Sequence, residues 1–483
     1  MKQILLLAGF FASMNAMAFC GFYVAKADVS LFNKTSQVIL ARNGEQSVIT
    51  MSSDFEGDVK DFAMVVPVPV VLKEGDVRVK ERNIFDKFDS YSGPRLVSYY
   101  DRNPCNVYRD SYKKSRSAYG GAPSVATKEK QESVNSVNYQ VTIEAKYSVG
   151  EYDILILSAE ESGGLERWLN DNGYKIPKGA KEVLDPYIKS NLKFFVVKVN
   201  LGELEKTGGK NLRPIQISYK SPKFMLPIRL GMANASGPQD MIVYALSPTG
   251  RIEVTNYRTV EMATSKNVPL FIKDKFGKFY KDLYDKAWAR EGKNVAFLEY
   301  AWNVSSFTQV KCDPCVGPPP IDTDLLAAGA DWLQNSTAGT QNTCYFTRLH
   351  LTYDRSTFPQ DLMLQETPNK TNFQARYIIT NPAWGDFKCP AGQKYLIALK
   401  TKRRDELQNL AQLTGWDIKQ YKSYPREFDK HLILEEKKTK QGGFFPSLSG
   451  DENATGFSTI LISLLSLAAV LFALTRRPIH INK

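Results

Sequence analysis

The stretch Gln37-Val38-Ile39-Leu40-Ala41-Arg42-Asn43-Gly44-Glu45-Gln46-Ser47-Val48-Ile49-Thr50-Met51 decides the fold class. Two apolar, β-branched runs flank Asn43-Gly44, a dipeptide that supplies the positive φ angles of a tight hairpin turn. The stretch therefore predicts two antiparallel strands. Working outward, Phe62 to Val66 reads as another strand, and Pro67-Val68-Pro69 is expected to stop its ladder, since proline has no N–H to give. Val137, Tyr139, Val141, Ile143, Ala145 and Tyr147 alternate with other residues, the period of a half-buried strand. Ile154 to Leu157 is apolar throughout and reads as a strand covered on both faces. Strands resume at Phe194 to Val199 and continue to about Tyr257.

Helical spacing is rarer. It is expected at Asn83 to Ser90, at Leu165, Trp168 and Leu169 with Gly173 as a cap, and from Lys178 toward Lys189, where Pro186 threatens an early end. Asp274 to Arg290, Asp322 to Leu333 and the stripe Leu407, Leu410, Leu413 ended by Gly415 complete the set. Residues 109–136 are poor in apolar side chains and read as a flexible surface loop. Thr347 to Tyr353 alternates, with Leu349, Leu351 and Tyr353 on one face and Arg348 and His350 on the other. The fold class expected is α+β, rich in strands.

The ends carry a second message. Lys2, an apolar run from Ile4 to Ala12, and Ala16-Met17-Ala18 have the form of a cleaved export signal over residues 1–18, with Phe19 opening the mature chain. Phe457 to Leu474 holds no charge and is followed by Arg476 and Arg477. Eighteen helical residues span roughly 27 Å, enough for a bilayer core, and arginines after a span favour the cytoplasmic side. The expectation is a single C-terminal transmembrane helix over 457–474, a linker over 441–456 and a cytoplasmic tail over 475–483. The body would lie outside the cytoplasmic membrane, in the periplasm of a two-membrane cell. Its length suggests two or three domains, placed at 19–155 (β-rich), 156–300 (α+β) and 301–440 (cysteine-containing).

Net charge is +12, and setting aside Lys2, Arg476, Arg477 and Lys483 leaves +8 on the exported part. The excess is dispersed: the dense run Lys400, Lys402, Arg403, Arg404 passes directly into Asp405 and Glu406. That pattern argues against a nucleic-acid partner and leaves an envelope protein or an anionic envelope polymer as the partner class.

Cys20, Cys105, Cys312, Cys315, Cys344 and Cys389 form an even set in a chain expected to meet an oxidising compartment, so disulfides are the expectation. Six cysteines allow 15 connectivities. Cys20 and Cys105 share the first segment and are expected to pair, leaving the other four to pair within residues 312–389.

Cys20-Gly21-Phe22, Asp61 to Pro69, Gly150-Glu151-Tyr152-Asp153, Trp168-Leu169 with Gly173-Tyr174, and Thr347-Arg348-Leu349-His350-Leu351 occur in that order along the chain. Together they resemble the bacterial family of domain of unknown function number 2330, whose members are exported and often carry a C-terminal membrane span. The resemblance covers most of residues 20 to about 355. It implies an envelope protein and no particular activity.

Chemistry has to come from the residues. Cys312-Asp313-Pro314-Cys315 is a candidate thiol–disulfide centre, but such a centre needs its first cysteine at a helix N-terminus, and Gly317 with Pro318-Pro319-Pro320 forbids a helix there. A structural bridge is the preferred reading. A zinc site from Cys312, Cys315, Cys344 and Cys389 lacks a second closely spaced half. His350, His431 and His480 come with no serine elbow or paired metal-binding histidines. Glu151 with Asp153 is too common a pair to signal glycosidase chemistry. No catalytic, cofactor-binding or metal-binding residue is assigned. The expectation is a membrane-anchored envelope protein acting as a non-catalytic binding or structural module. The alternative is an exported thiol–disulfide redox enzyme using Cys312 and Cys315.

Overall fold

The computed structural model describes residues 22–25, 32–33, 36–52, 55–56, 62–106, 141–172, 180–206, 212–233, 237–315, 317–334 and 342–433. The proposed signal, Cys20, the 109–136 loop, Gly173 and the 457–474 span lie outside them. Among the described residues no helix is long and apolar enough to cross a membrane.

In chain order the main elements are β1 (Ser36–Asn43), β2 (Gln46–Ser52), β3 (Phe62–Val68), α1 (Asn83–Ser92), β4 (Arg95–Tyr100), β5 (Val141–Val149), β6 (Tyr152–Ala159), α2 (Ser162–Asp171), α3 (Ala180–Lys189) and β7 (Lys193–Val199). There follow β8 (Ile215–Lys220), β9 (Gln239–Ser247), α4 (Phe276–Arg290), β10 (Val295–Asn303), β11 (Tyr345–Tyr353), β12 (Arg376–Asn381) and α5 (Pro390–Thr414). The fold is mixed α+β and rich in sheet.

The opening hairpin forms as expected: Asn43 faces Gln46 across a turn in which Gly44 takes φ 57°. It anchors a nine-stranded sheet: the path runs Arg258–Glu261, β10, β11, β9, β1, β2, β8 and Val77–Val79, and Phe373–Gln374 pairs with β10 off that path. β9 meets β1 in parallel and β11 antiparallel. A second, five-stranded sheet orders Phe22–Ala25, β3, β7, β6 and β5, all antiparallel.

The period of two along each strand dictates the layering. Met64 and Val66 of β3 and Phe195 and Val197 of β7 share a core with Val38, Leu40, Ile49, Met51, Met241 and Val243 of the larger sheet. The intervening residues Val65, Phe194 and Val196 face the other way, onto Leu165, Trp168 and Leu169 of α2 and Leu184 and Tyr187 of α3. On the far side of the large sheet, Ile39, Tyr244, Tyr300 and Phe346 pack on Phe85, Phe88 and Tyr91 of α1. The order of layers is helices, sheet, sheet, helices, with an apolar seam between the sheets.

β3 ends at Val68, inside the tripeptide expected to stop it, although Pro67 itself is still paired, opposite Phe194. Among the described residues its other neighbour, Phe22–Ala25, pairs no further than Val65, so there Pro67 has a ladder partner on one side only. Pro186 lies within α3 and does not shorten it. The boundaries placed at 155/156 and 300/301 fall inside β6 and β10, and the nine-stranded sheet takes strands from every expected segment. The described residues through Leu432 form one compact unit.

Candidate functional site

The alternation in β11 sends Leu349, Leu351 and Tyr353 into the core between the sheets. Arg348 and His350 therefore share the opposite face. That face is covered too. Arg348 stands between Tyr244 of β9 and Tyr300 of β10, and His350 between Ile242 and Phe297. On β10 the register with β11 shifts between Leu298 and Tyr300, leaving Glu299 as an extra residue. Such a bulge re-aims a side chain that regular pairing would point elsewhere.

The Glu299 carboxylate has no solvent exposure and lies between Arg348 and His350. Arg348 Nε donates to Oε2 at 2.6 Å, His350 Nδ1 donates to Oε1 at 2.8 Å, and the Tyr280 hydroxyl of α4 also donates to Oε1. Arg348 reaches outward with Nη1 to Asp89 Oδ1 of α1 at 2.7 Å, and Tyr244 donates to the same oxygen at 2.8 Å. Tyr284 of α4 stacks on the His350 ring with centroids 4.1 Å apart.

Burial alone would push the Glu299 carboxyl up, but His350 and Arg348 outweigh it and hold the group at about 2. Burial likewise works against the Arg348 charge, and Tyr244, Glu299 and Asp89 reverse the balance so that its pKa rises. Tyr280 moves well above its ordinary value, first through burial and then through the Glu299 charge. The result is a buried ion cluster with satisfied partners, joining α1 and α4 to the central strands. Its chemistry is that of a clamp: a fixed carboxylate orients an imidazole, and an aromatic ring covers that imidazole. His350, which the sequence places only on the face opposite Leu349 and Leu351, is covered by this roof, which comes from elements remote in sequence.

Cys105 joins Cys389 across a sequence separation of 284, so the expected Cys20–Cys105 bridge is not the arrangement found. The reason is topological. β4 and β12 run parallel, with Tyr100 opposite Asn381, and their continuations emerge at the same end of the sheet. Cys389 then caps α5, its sulfur accepting from Gly392 N at 3.2 Å. Gly392 fits because it lacks a Cβ, which would stand 2.7 Å from Cys105 Sγ. Cys312 bonds Cys315, and Cys344 is a buried free thiol whose pKa burial drives up. Cys344 is thus corrected from a bridge candidate to a core residue beside Phe346 and Leu325. Cys20 lies outside the described residues.

The Cys312–Cys315 loop is held from several sides. Tyr91 and Tyr300 both donate to Lys311 O at 2.6 Å, Gln374 Nε2 to Asp313 O at 2.8 Å, Arg376 Nη1 to Asp313 O at 2.7 Å and Arg95 Nη1 to Pro314 O at 2.9 Å. The four-sulfur zinc set is not assembled, because Cys389 is committed to Cys105 and Cys312 to Cys315. Among the described residues no group of three or more His, Cys, Asp or Glu side chains could hold a metal ion. Glu151 is buried and gripped by Arg213 at 2.7 Å, whereas Asp153 accepts from Ser148 at 2.6 Å, so each carboxylate has its own partner. His431 packs its ring near Phe387. His480 lies outside the described residues.

Glu299 and Asp89 were not singled out from the sequence. The signal for Glu299 was a lone carboxylate inside the apolar run Val295-Ala296-Phe297-Leu298-Glu299-Tyr300-Ala301. A buried charge demands a partner, and Arg348 on another strand was the available one. Asp89 left no comparable mark.

The model of a family described as uncharacterized proteins conserved in bacteria (DUF2330) matches residues 14–365. The matched span holds Asp89, Glu299, Arg348 and His350, and ends before Cys389 and α5. No curated protein and no solved structure matches the chain.

Proposed function

Because this chain belongs to DUF2330, a bacterial family of uncharacterized proteins with no activity to transfer, we propose from its own residues that it is a non-catalytic binding or structural module of the cell envelope. It is exported through its N-terminal signal and held by the 457–474 helix, with the body outside the cytoplasmic membrane. One observation carries the non-catalytic half of this reading. Two of the most buried ionisable groups, Glu299 and Arg348, are committed to each other, to the half-exposed Asp89 and to tyrosines that tie helices onto the sheet. A catalytic acid or base needs a group free to meet a substrate and a pKa near the working pH. Glu299 at about 2 is on the wrong side of that requirement for a general acid.

The competing reading, an exported thiol–disulfide redox enzyme, draws on the exposure of Cys315. The hydrogen bonds onto residues 311–314 weigh against it, since a dithiol that cycles must let its loop rearrange. The two readings separate in one assay. The purified full chain should show no more turnover of a model dithiol than the Cys312→Ser/Cys315→Ser variant. Turnover lost on double substitution would overturn the proposal.

A further inference from the structure

Most large apolar side chains are covered, but Trp384 is 88% exposed and Tyr100 is 76% exposed. They belong to one place in the fold. Tyr100 ends β4 opposite Asn381, the last residue of β12, and Trp384 follows three residues later. The Tyr395 hydroxyl accepts from Ala383 N at 2.9 Å and donates to Asp101 Oδ2 at 3.0 Å, binding the neighbours of both aromatics to one atom. Asn103 Nδ2 donates to Trp384 O at 3.0 Å and Asp386 O at 3.1 Å. The Cys105–Cys389 bridge then staples the same two segments together. The two rings are therefore presented on a rigid mount.

The last residues of the compact unit arrive at this mount. Leu432 and Phe428 pack on the small cluster of Ala383, Phe387 and Leu396 directly beneath the Trp384 loop. Gln393 Nε2 donates to His431 O at 3.1 Å. Only 24 residues separate Leu432 from Phe457, where the proposed span begins. Exposed Arg102 and Lys388 flank the rings, with Lys388 reaching Asp386 at 3.3 Å.

We infer that the Trp384–Tyr100 face rests on the lipid surface of the membrane that anchors the chain. Indole and phenol rings suit the headgroup level, where one edge is apolar and the other wet, and Arg and Lys can extend toward phosphates from beside them. The tether makes the contact intramolecular, so two rings suffice where a free protein would need a larger surface. This inference rests on the anchored reading above.

The test reconstitutes the full chain into vesicles of phosphatidylethanolamine and phosphatidylglycerol with brominated acyl chains. Trp384 is the one exposed tryptophan among the described residues, so wild type should show bromine quenching and iodide protection that Trp384→Phe loses. A chain that floats with the vesicles while Trp384 stays open to iodide overturns the inference and leaves the anchor standing. A chain that does not float overturns both. Protection of Trp384 by a soluble envelope glycan, with no lipid quenching, would assign the face to a glycan and also overturn the inference.

Discussion

Glu299 and Glu406 are both 2% exposed or less, yet their neighbours drive them in opposite directions. For Glu299, Arg348 at 2.6 Å and His350 at 2.8 Å overcome burial and hold the acid at about 2, below its ordinary 4.5. Its folded value is depressed, so its stabilisation is present above about pH 4.5 and is lost as pH falls toward 2. Replacing it by Gln leaves Arg348 buried with one carboxylate fewer, and breaking a buried ion pair typically costs about 3–5 kcal/mol. Denaturant titration of Glu299→Gln should show that loss at pH 7 and a smaller loss at pH 3. Glu406 of α5 accepts from the Tyr424 hydroxyl at 2.7 Å, but burial dominates over Lys402 and Arg403 and raises it to about 7. Here protonation favours the fold. The stability contribution is complete below about pH 4.5 and disappears as pH rises through 7. Glu406→Gln, which stays neutral, should therefore gain on the order of 1–3 kcal/mol over wild type at pH 8 and nothing at pH 4. A gain that did not depend on pH would contradict the assignment.

At the scale of elements, the two disulfides differ in what they hold. Cys105–Cys389 closes a loop of 284 residues and fixes the start of α5 to the end of β4, whereas Cys312–Cys315 closes a loop of 3. Loop-closure entropy grows with the logarithm of length, which gives about 6 kcal/mol for the long bridge and about 2 for the short one. Cys389→Ser should accordingly lower stability more than the Cys312→Ser/Cys315→Ser pair. It should also speed amide exchange in the first turns of α5. Equal losses would show that α5 does not depend on its staple. The strands were legible in the sequence because alternation is a local signal: β1, β2 and the two faces of β11 follow from the side chains themselves. α5 was visible only in its Leu407–Leu413 half; the rest carries Lys394, Lys400, Lys402 and Arg404 and shows little stripe. The bridge to Cys389 was not legible, because parallel pairing of β4 with β12 across almost 300 residues leaves no trace in local pattern. The clamp was half legible. Arg348 and His350 were placed on one face, but the helices that roof them, α1 and α4, fold back from distant segments.

Across the whole molecule, strands from every third of the chain enter one sheet, and the long sequence separations of β1 with β9 and of β4 with β12 make the unit cooperative. The buried ion cluster stands where α1, α4 and the central strands meet, which is where a structural clamp constrains the most elements. The family match covers this cluster but not the apolar end of the chain. The central claim, an exported body tethered by a C-terminal helix, is tested most directly by protease added to spheroplasts expressing the full chain tagged after Lys483. The account predicts that the body is digested and that a small tagged fragment spanning 457–474 survives in carbonate-washed membranes. Full-length protein that resists protease until the cells are lysed, and then appears in the soluble fraction, would contradict it.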